Sequence, residues 1–142
     1  PRQTAFNLRS NNIILIKNRA FSGMPNLIQL NLEINKIKSI ETNAFDDLNR
    51  LRLLNLSLNQ LININENIFK NTTRIEILDL SENKLTNLNN SLFQNLEALQ
   101  TLNLQKNRLK FINQFHFDKL KNLRFLRLNN NQLSKIEKKS FD

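Results

Sequence analysis

The sequence predicts an α/β-type solenoid, in which one short strand per turn stacks in parallel into a curved sheet on the concave side and the rest of the turn returns outside it. Three observations predict it. Asparagine recurs as Asn11, Asn35, Asn59, Asn83, Asn107 and Asn131, always 24 residues apart. Apolar residues alternate just before it, as in LDLSENKL at 78–85, LNLQKNRL at 102–109 and LRLNNNQL at 126–133. A phenylalanine column, Phe21, Phe45, Phe69, Phe93, Phe117 and Phe141, keeps the same 24-residue step. A fixed period of this length is the mark of a repeat architecture.

Taken in order along one turn, each position has a physical reason. Blocks begin at Gln3, Leu27, Leu51, Ile75, Leu99 and Leu123, giving six repeats over residues 1–142. Position 4 holds Phe6 and then leucine from Leu30 to Leu126, and position 6 is leucine from Leu8 to Leu128. That period of two is a strand with one buried face, so positions 3, 5 and 7 point the other way. Identical strands then stack about 4.8 Å apart. Position 9 is the asparagine. The chain must turn sharply after the strand, and the polar backbone groups left inside need partners. A side-chain amide offers both donor and acceptor, so a stacked column is expected to bond the loop backbone of its own and the next turn. Positions 11 (Ile13 to Leu133), 14 (Ile16 to Ile136), 19 (phenylalanine) and 22 face inward along the return arc.

Composition narrows the function. At 142 residues, 39% hydrophobic and 23% charged, the chain has enough apolar content for one globular core. It has no cysteine, one glycine and two prolines, which removes disulfides, thiol catalysis, thiolate metal sites and glycine-rich phosphate loops. No stretch approaches the ~20 apolar residues of a membrane span. The start, PRQTAFNLRS, has neither an initiator methionine nor the apolar centre of a signal peptide, so the chain reads as an excerpt of a longer protein. Net charge is +9. Either it reflects anionic partners, or it follows from codon bias shared by lysine, asparagine, isoleucine and phenylalanine.

The frame LxxLxLxxNxLxxLxxxxFxxLxx resembles the leucine-rich repeat family, in its typical 24-residue class. The resemblance implies return arcs that are irregular or short-helical, and a role in binding proteins, peptides, glycans or nucleic acids, as in Toll-like receptor ectodomains and Slit-like or other adhesion proteins. It departs from that class in lacking cysteine-rich caps, in Thr72 at position 22, in Gln3 at position 1, and in ending about four residues short of a full repeat at Asp142. The implied function is a protein-binding recognition module in the ectodomain of an extracellular or cell-surface receptor. The alternatives are a cytosolic scaffold or regulatory protein, and a nucleic-acid-sensing receptor segment. Membrane contact would need a segment outside this sequence.

The concave rows locate candidate ligand residues. Leu53 and Ile77 at position 3, with Ile34 and Leu58 at position 8, make one apolar patch, and Arg124, Phe125 and Arg127 place two guanidinium groups beside a ring, a composition favoured at binding hot spots. Glu76, Asp79 and Glu82 make the fourth repeat acidic, and Asp79 lies on the concave face. Lys36, Lys38, Lys84, Arg108 and Lys110 share one rim at positions 10 and 12, a stripe suited to phosphate but with few aromatics interleaved. The single histidine, His116, has no partner for a triad or a metal site, and Asp46 and Asp47 read as solvated loop carboxylates, so neither catalysis nor a cofactor is expected. Sequons at Asn55, Asn71 and Asn89 are candidate glycosylation sites; Asn71 and Asn89 fall on return arcs and Asn55 on the concave sheet.

Overall fold

The computed structural model describes residues 2–141. Ten strands follow one another: β1 (Ala5–Asn7), β2 (Leu15–Ile16), β3 (Gln29–Asn31), β4 (Ser39–Ile40), β5 (Leu53–Asn55), β6 (Ile77–Asp79), β7 (Thr101–Asn103), β8 (Phe111–Ile112), β9 (Phe125–Arg127) and β10 (Lys135–Ile136). Six of them form one parallel sheet in the order β1-β3-β5-β6-β7-β9. Its register never slips: Leu30 opposes Leu54, Leu54 opposes Leu78, and Leu78 opposes Leu102. A slip by one residue would turn the leucine row out to solvent, which is why the alternation holds the register.

Burial follows the columns. Leu30, Leu54, Leu78 and Leu102 are fully buried, as are Leu32, Leu56, Leu80 and Leu104, while Phe45, Phe69 and Phe93 fill the core behind them. Parts of the phenylalanine column stack face to face, with centroids 5.9 Å apart for Phe21 and Phe45 and 6.2 Å for Phe93 and Phe117. Thr72, the departure at position 22, is buried too; its hydroxyl donates to the Phe69 carbonyl at 3.3 Å, which makes a polar side chain tolerable there.

The return arcs take the irregular option. Among the described residues there is no helix. The reason lies in spacing: positions 19, 22 and the next position 1 are three residues apart, so the arc closes as successive three-residue turns, such as Leu48 N–H to the Phe45 carbonyl (3.0 Å) and Leu51 N–H to the Leu48 carbonyl (3.1 Å). Short strand pairs also form on this side, β2 with β4 and β8 with β10. The expectation of irregular or helical arcs contains no such strands.

Candidate functional site

The concave sheet rests on two ladders of side-chain amides. The inner one is the position 9 column. Asn83 Nδ2 donates to the carbonyls of Leu56 (2.9 Å), Leu80 (3.2 Å) and Ser81 (3.2 Å), and its Oδ1 accepts from the Leu61 N–H at 3.0 Å. Asn35, Asn59 and Asn107 repeat this pattern, and Asn131 repeats its cross-turn bonds. The turn bonded besides its own is the preceding one, contrary to the expectation of the next. Asn11 is exposed and bonds only the Leu8 and Arg9 carbonyls of its own turn.

The second ladder is at position 5. Asn7, Asn31, Asn55, Asp79 and Asn103 each accept, through Oδ1, the N–H two residues on, closing an Asx turn at the strand end. Asp79 is the most committed. Its Oδ1 accepts from Ser81 N–H (2.9 Å) and Ser81 hydroxyl (2.6 Å), and its Oδ2 from Asn103 Nδ2 (3.2 Å), so this carboxylate ends a strand rather than facing a ligand unpaired. The sequence reading missed this role, although an Asn/Asp column is itself a turn signal.

Immediately beyond lies a feature with no sequence signal. Position 8 takes a left-handed backbone in all six turns: Ser10 (φ 60°), Ile34 (53°), Leu58 (54°), Glu82 (52°), Lys106 (53°) and Asn130 (58°). This conformation costs an L-residue about 1–2 kcal/mol, and a β-branched residue such as Ile34 is a clear outlier there. The surrounding ladder enforces it: the Ile34 and Leu58 N–H groups donate to the Ser57 (3.2 Å) and Ser81 (3.1 Å) carbonyls of the following turns.

These details rearrange the candidate residues. Leu53 and Ile77 are register neighbours at the start of their strands, Leu53 half-buried and Ile77 exposed. Ile34 and Leu58 sit three residues past the strand ends, beyond the polar rows at positions 5 and 7. Phe125 and Arg127 lie on β9 and Arg124 immediately before it; Phe125 is 61% exposed, and neither arginine has an ion pair among the described residues. The acids of the fourth repeat are neutralised by neighbouring turns, Glu76 by Arg52 at 3.3 Å and Glu82 by Lys106 at 3.1 Å. Lys36, Lys38, Lys84, Arg108 and Lys110 have no ion pair among the described residues, so surplus positive charge lies on their rim. Asn55 is half-buried on β5, whereas Asn71 and Asn89 are exposed on arcs; Asn89 Oδ1 accepts from the Ser91 N–H at 2.9 Å.

His116 is buried, like Ala44, Ile68 and Leu92 at the same position of other turns. Its Nδ1 accepts from the Asn113 N–H at 3.3 Å, its ring lies against Phe111 and Phe117, and Nε2 is buried without a hydrogen bond. Burial holds its pKa below 6.5, outweighing the Leu88 backbone and the Glu137 carboxylate, which favour the charged ring. A histidine whose folded pKa is depressed contributes stability that is fully present above the unfolded pKa and is lost as pH falls below about 6.5 toward the folded value. Chemical denaturation should therefore show falling stability from pH 7 to pH 5. His116→Leu, matching Leu92 in the preceding turn, should flatten that slope; an unchanged slope would remove His116 as its source. Among the described residues no cluster of histidine, cysteine or carboxylate side chains is suited to a metal.

Comparison with known proteins follows the same lines. The family profile described as the BspA type leucine rich repeat region matches residues 14–142 in six copies. No curated protein sequence matches the chain. Among solved structures, a TLR13-ssRNA13 complex superposes with a TM-score of 0.93 at 31% identity, over 98% of this chain and 20% of that one. The Toll - Spatzle complex of Drosophila superposes at 0.89 with 27% identity over 96% and 18%, and its glycosylated form at 0.88 with 26% identity over 97% and 19%. The chain thus spans about a fifth of the length of the receptors it matches.

Proposed function

We propose, because the chain belongs to the BspA-type leucine-rich repeat family, that it is a non-catalytic recognition module that holds a rigid curved sheet against a protein or peptide ligand, within the ectodomain of a cell-surface receptor. One observation carries the binding surface: an exposed Phe125 on the sheet, flanked in sequence by Arg124 and Arg127, neither in an ion pair among the described residues, a composition that concentrates binding energy. The likeness to TLR13 and to Toll in its Spatzle complex supports the receptor setting. The array is proposed to occupy residues 1–142 as six repeats.

Selection of peptides from a displayed random library on the 142-residue chain tests the binding surface. Enriched peptides should bind Phe125→Ala or Arg127→Ala at least about tenfold more weakly, the loss of a hot-spot contact; indifference to both would exclude this surface. Compartment is tested by glycopeptide mass spectrometry on protein from its natural source. Occupied Asn71 and Asn89 are expected, and bare sites at Asn55, Asn71 and Asn89 would favour the cytosolic scaffold. A glycan on Asn55 would cover Leu53 and Ile77 and leave the ends of the sheet as the surface to mutate.

The cationic rim and the similarity to the TLR13-ssRNA13 structure favour a second reading, nucleic-acid sensing. It predicts poly(U) binding that weakens steeply with salt, as counterion release requires.

A further inference from the structure

The rim beyond the strand ends carries an arrangement that packing does not require. Ile34 and Leu58 occupy left-handed positions that other turns fill with serine, glutamate, lysine or asparagine. Both are partly exposed, at 37% and 38%. Two further isoleucines on the same rim, Ile14 and Ile62, are more than half exposed. Consecutive turns set Ile34 beside Leu58, through the Ile34 N–H to the Ser57 carbonyl (3.2 Å), and Lys38 beside Ile14, through the Lys38 N–H to the Ile14 carbonyl (2.9 Å). Between the apolar groups stand Lys36 and Lys38, which make no ion pair among the described residues. No carboxylate occupies positions 8, 10 or 12 of the first three turns, and the adjoining Glu33 is held by Arg9 at 3.2 Å.

We infer that this rim of the first three turns is a docking surface for an acidic amphipathic protein segment, one whose aliphatic or aromatic side chains cover Ile14, Ile34, Leu58 and Ile62 while its aspartates or glutamates meet Lys36 and Lys38. Exposed apolar side chains gathered on one rim, where other turns carry polar ones, mark an interaction surface. The two lysines choose the sign of the partner, since an unpaired cation beside an apolar contact repels basic segments and attracts acidic ones. A nucleic acid would use the lysines and leave the four aliphatic groups uncovered. The inference rests on the recognition-module reading and narrows it to a second face, distinct from the Phe125 surface.

The test uses the same displayed library on the 142-residue chain with two double variants. Among the enriched peptides, a class should combine aspartate or glutamate with leucine, isoleucine or phenylalanine. That class should bind Ile34→Asn with Leu58→Asn, and Lys36→Gln with Lys38→Gln, at least about tenfold more weakly, and Leu53→Asn with Ile77→Asn unchanged. Asparagine already occupies position 8 as Asn130, so the first variant should keep a Tm close to the parent's. A collapse of its Tm would mean that the two side chains serve packing, and would overturn the inference. Peptides lost only on Phe125→Ala would overturn it and leave the recognition module standing. No enriched peptide of any kind would remove both, and displacement of the acidic class by poly(U) without any effect of Ile34→Asn and Leu58→Asn would reassign the rim to a polyanion.

Discussion

Truncating Phe69 to alanine is expected to lower the free energy of unfolding by about 3–5 kcal/mol. The ring is 1% exposed in the third return arc, with Phe45 and Phe93 equally buried in the turns on either side. Its loss removes transfer energy and leaves a cavity that neighbouring rings, held in their own turns, fill only in part. For a domain with a total stability of about 5–15 kcal/mol this is a large fraction. Because each turn touches only its neighbours, the damage should centre on the second to fourth repeats, visible as faster amide exchange there than at the ends. Urea denaturation gives the number. Phe115→Ala is the control, since that ring is 49% exposed and its removal should cost no more than about 0.5 kcal/mol. Equal costs at the two sites would mean that the phenylalanine column is not what fills the core.

Asn83→Leu should cost roughly 3 kcal/mol or more. It leaves the buried Leu61 N–H without its acceptor, at ~1–3 kcal/mol, and takes one of two donors from each of the carbonyls of Leu56, Leu80 and Ser81, which keep Asn59, Asn107 and the Leu58 N–H, at ~0.5–1.5 kcal/mol for each bond lost. Asn11→Leu, at an exposed position bonded only to its own turn, should cost about 1 kcal/mol or less. The contrast between the two substitutions is the measurement, because leucine brings the same side chain to both. A change near zero at Asn83 would reduce the inner ladder to a decoration of the turn.

The fold was legible because burial demands identity. Leu54, Leu78 and Leu102 must be apolar, they recur on a strict period, and a period of two inside a period of 24 admits one architecture. Position 8 was illegible for the opposite reason. A left-handed backbone is ordinarily announced by glycine, but here the cross-turn bonds enforce it on isoleucine, leucine, glutamate and lysine alike, so no residue type marks it. The Asx turns that stop each strand were concealed in a column that reads equally well as an outward polar row. Asp79 illustrates the ambiguity: its side chain is the right kind for a ligand and the right kind for a turn, and only the positions of Ser81 and Asn103 decide between them.

The inner ladder reaches backward, and that direction bears on how the molecule is made. The first turn receives its acceptor for the Ile13 N–H, and a second donor for the Leu8 carbonyl beside Asn11, only when Asn35 arrives one turn later. At a synthesis rate of about 5–20 residues per second, successive turns emerge from a ribosome every one to five seconds or so, long enough for each to settle. Every new asparagine then stitches its own turn onto one already in place. The chain can close its ladder in the order in which it is translated, without waiting for its far end.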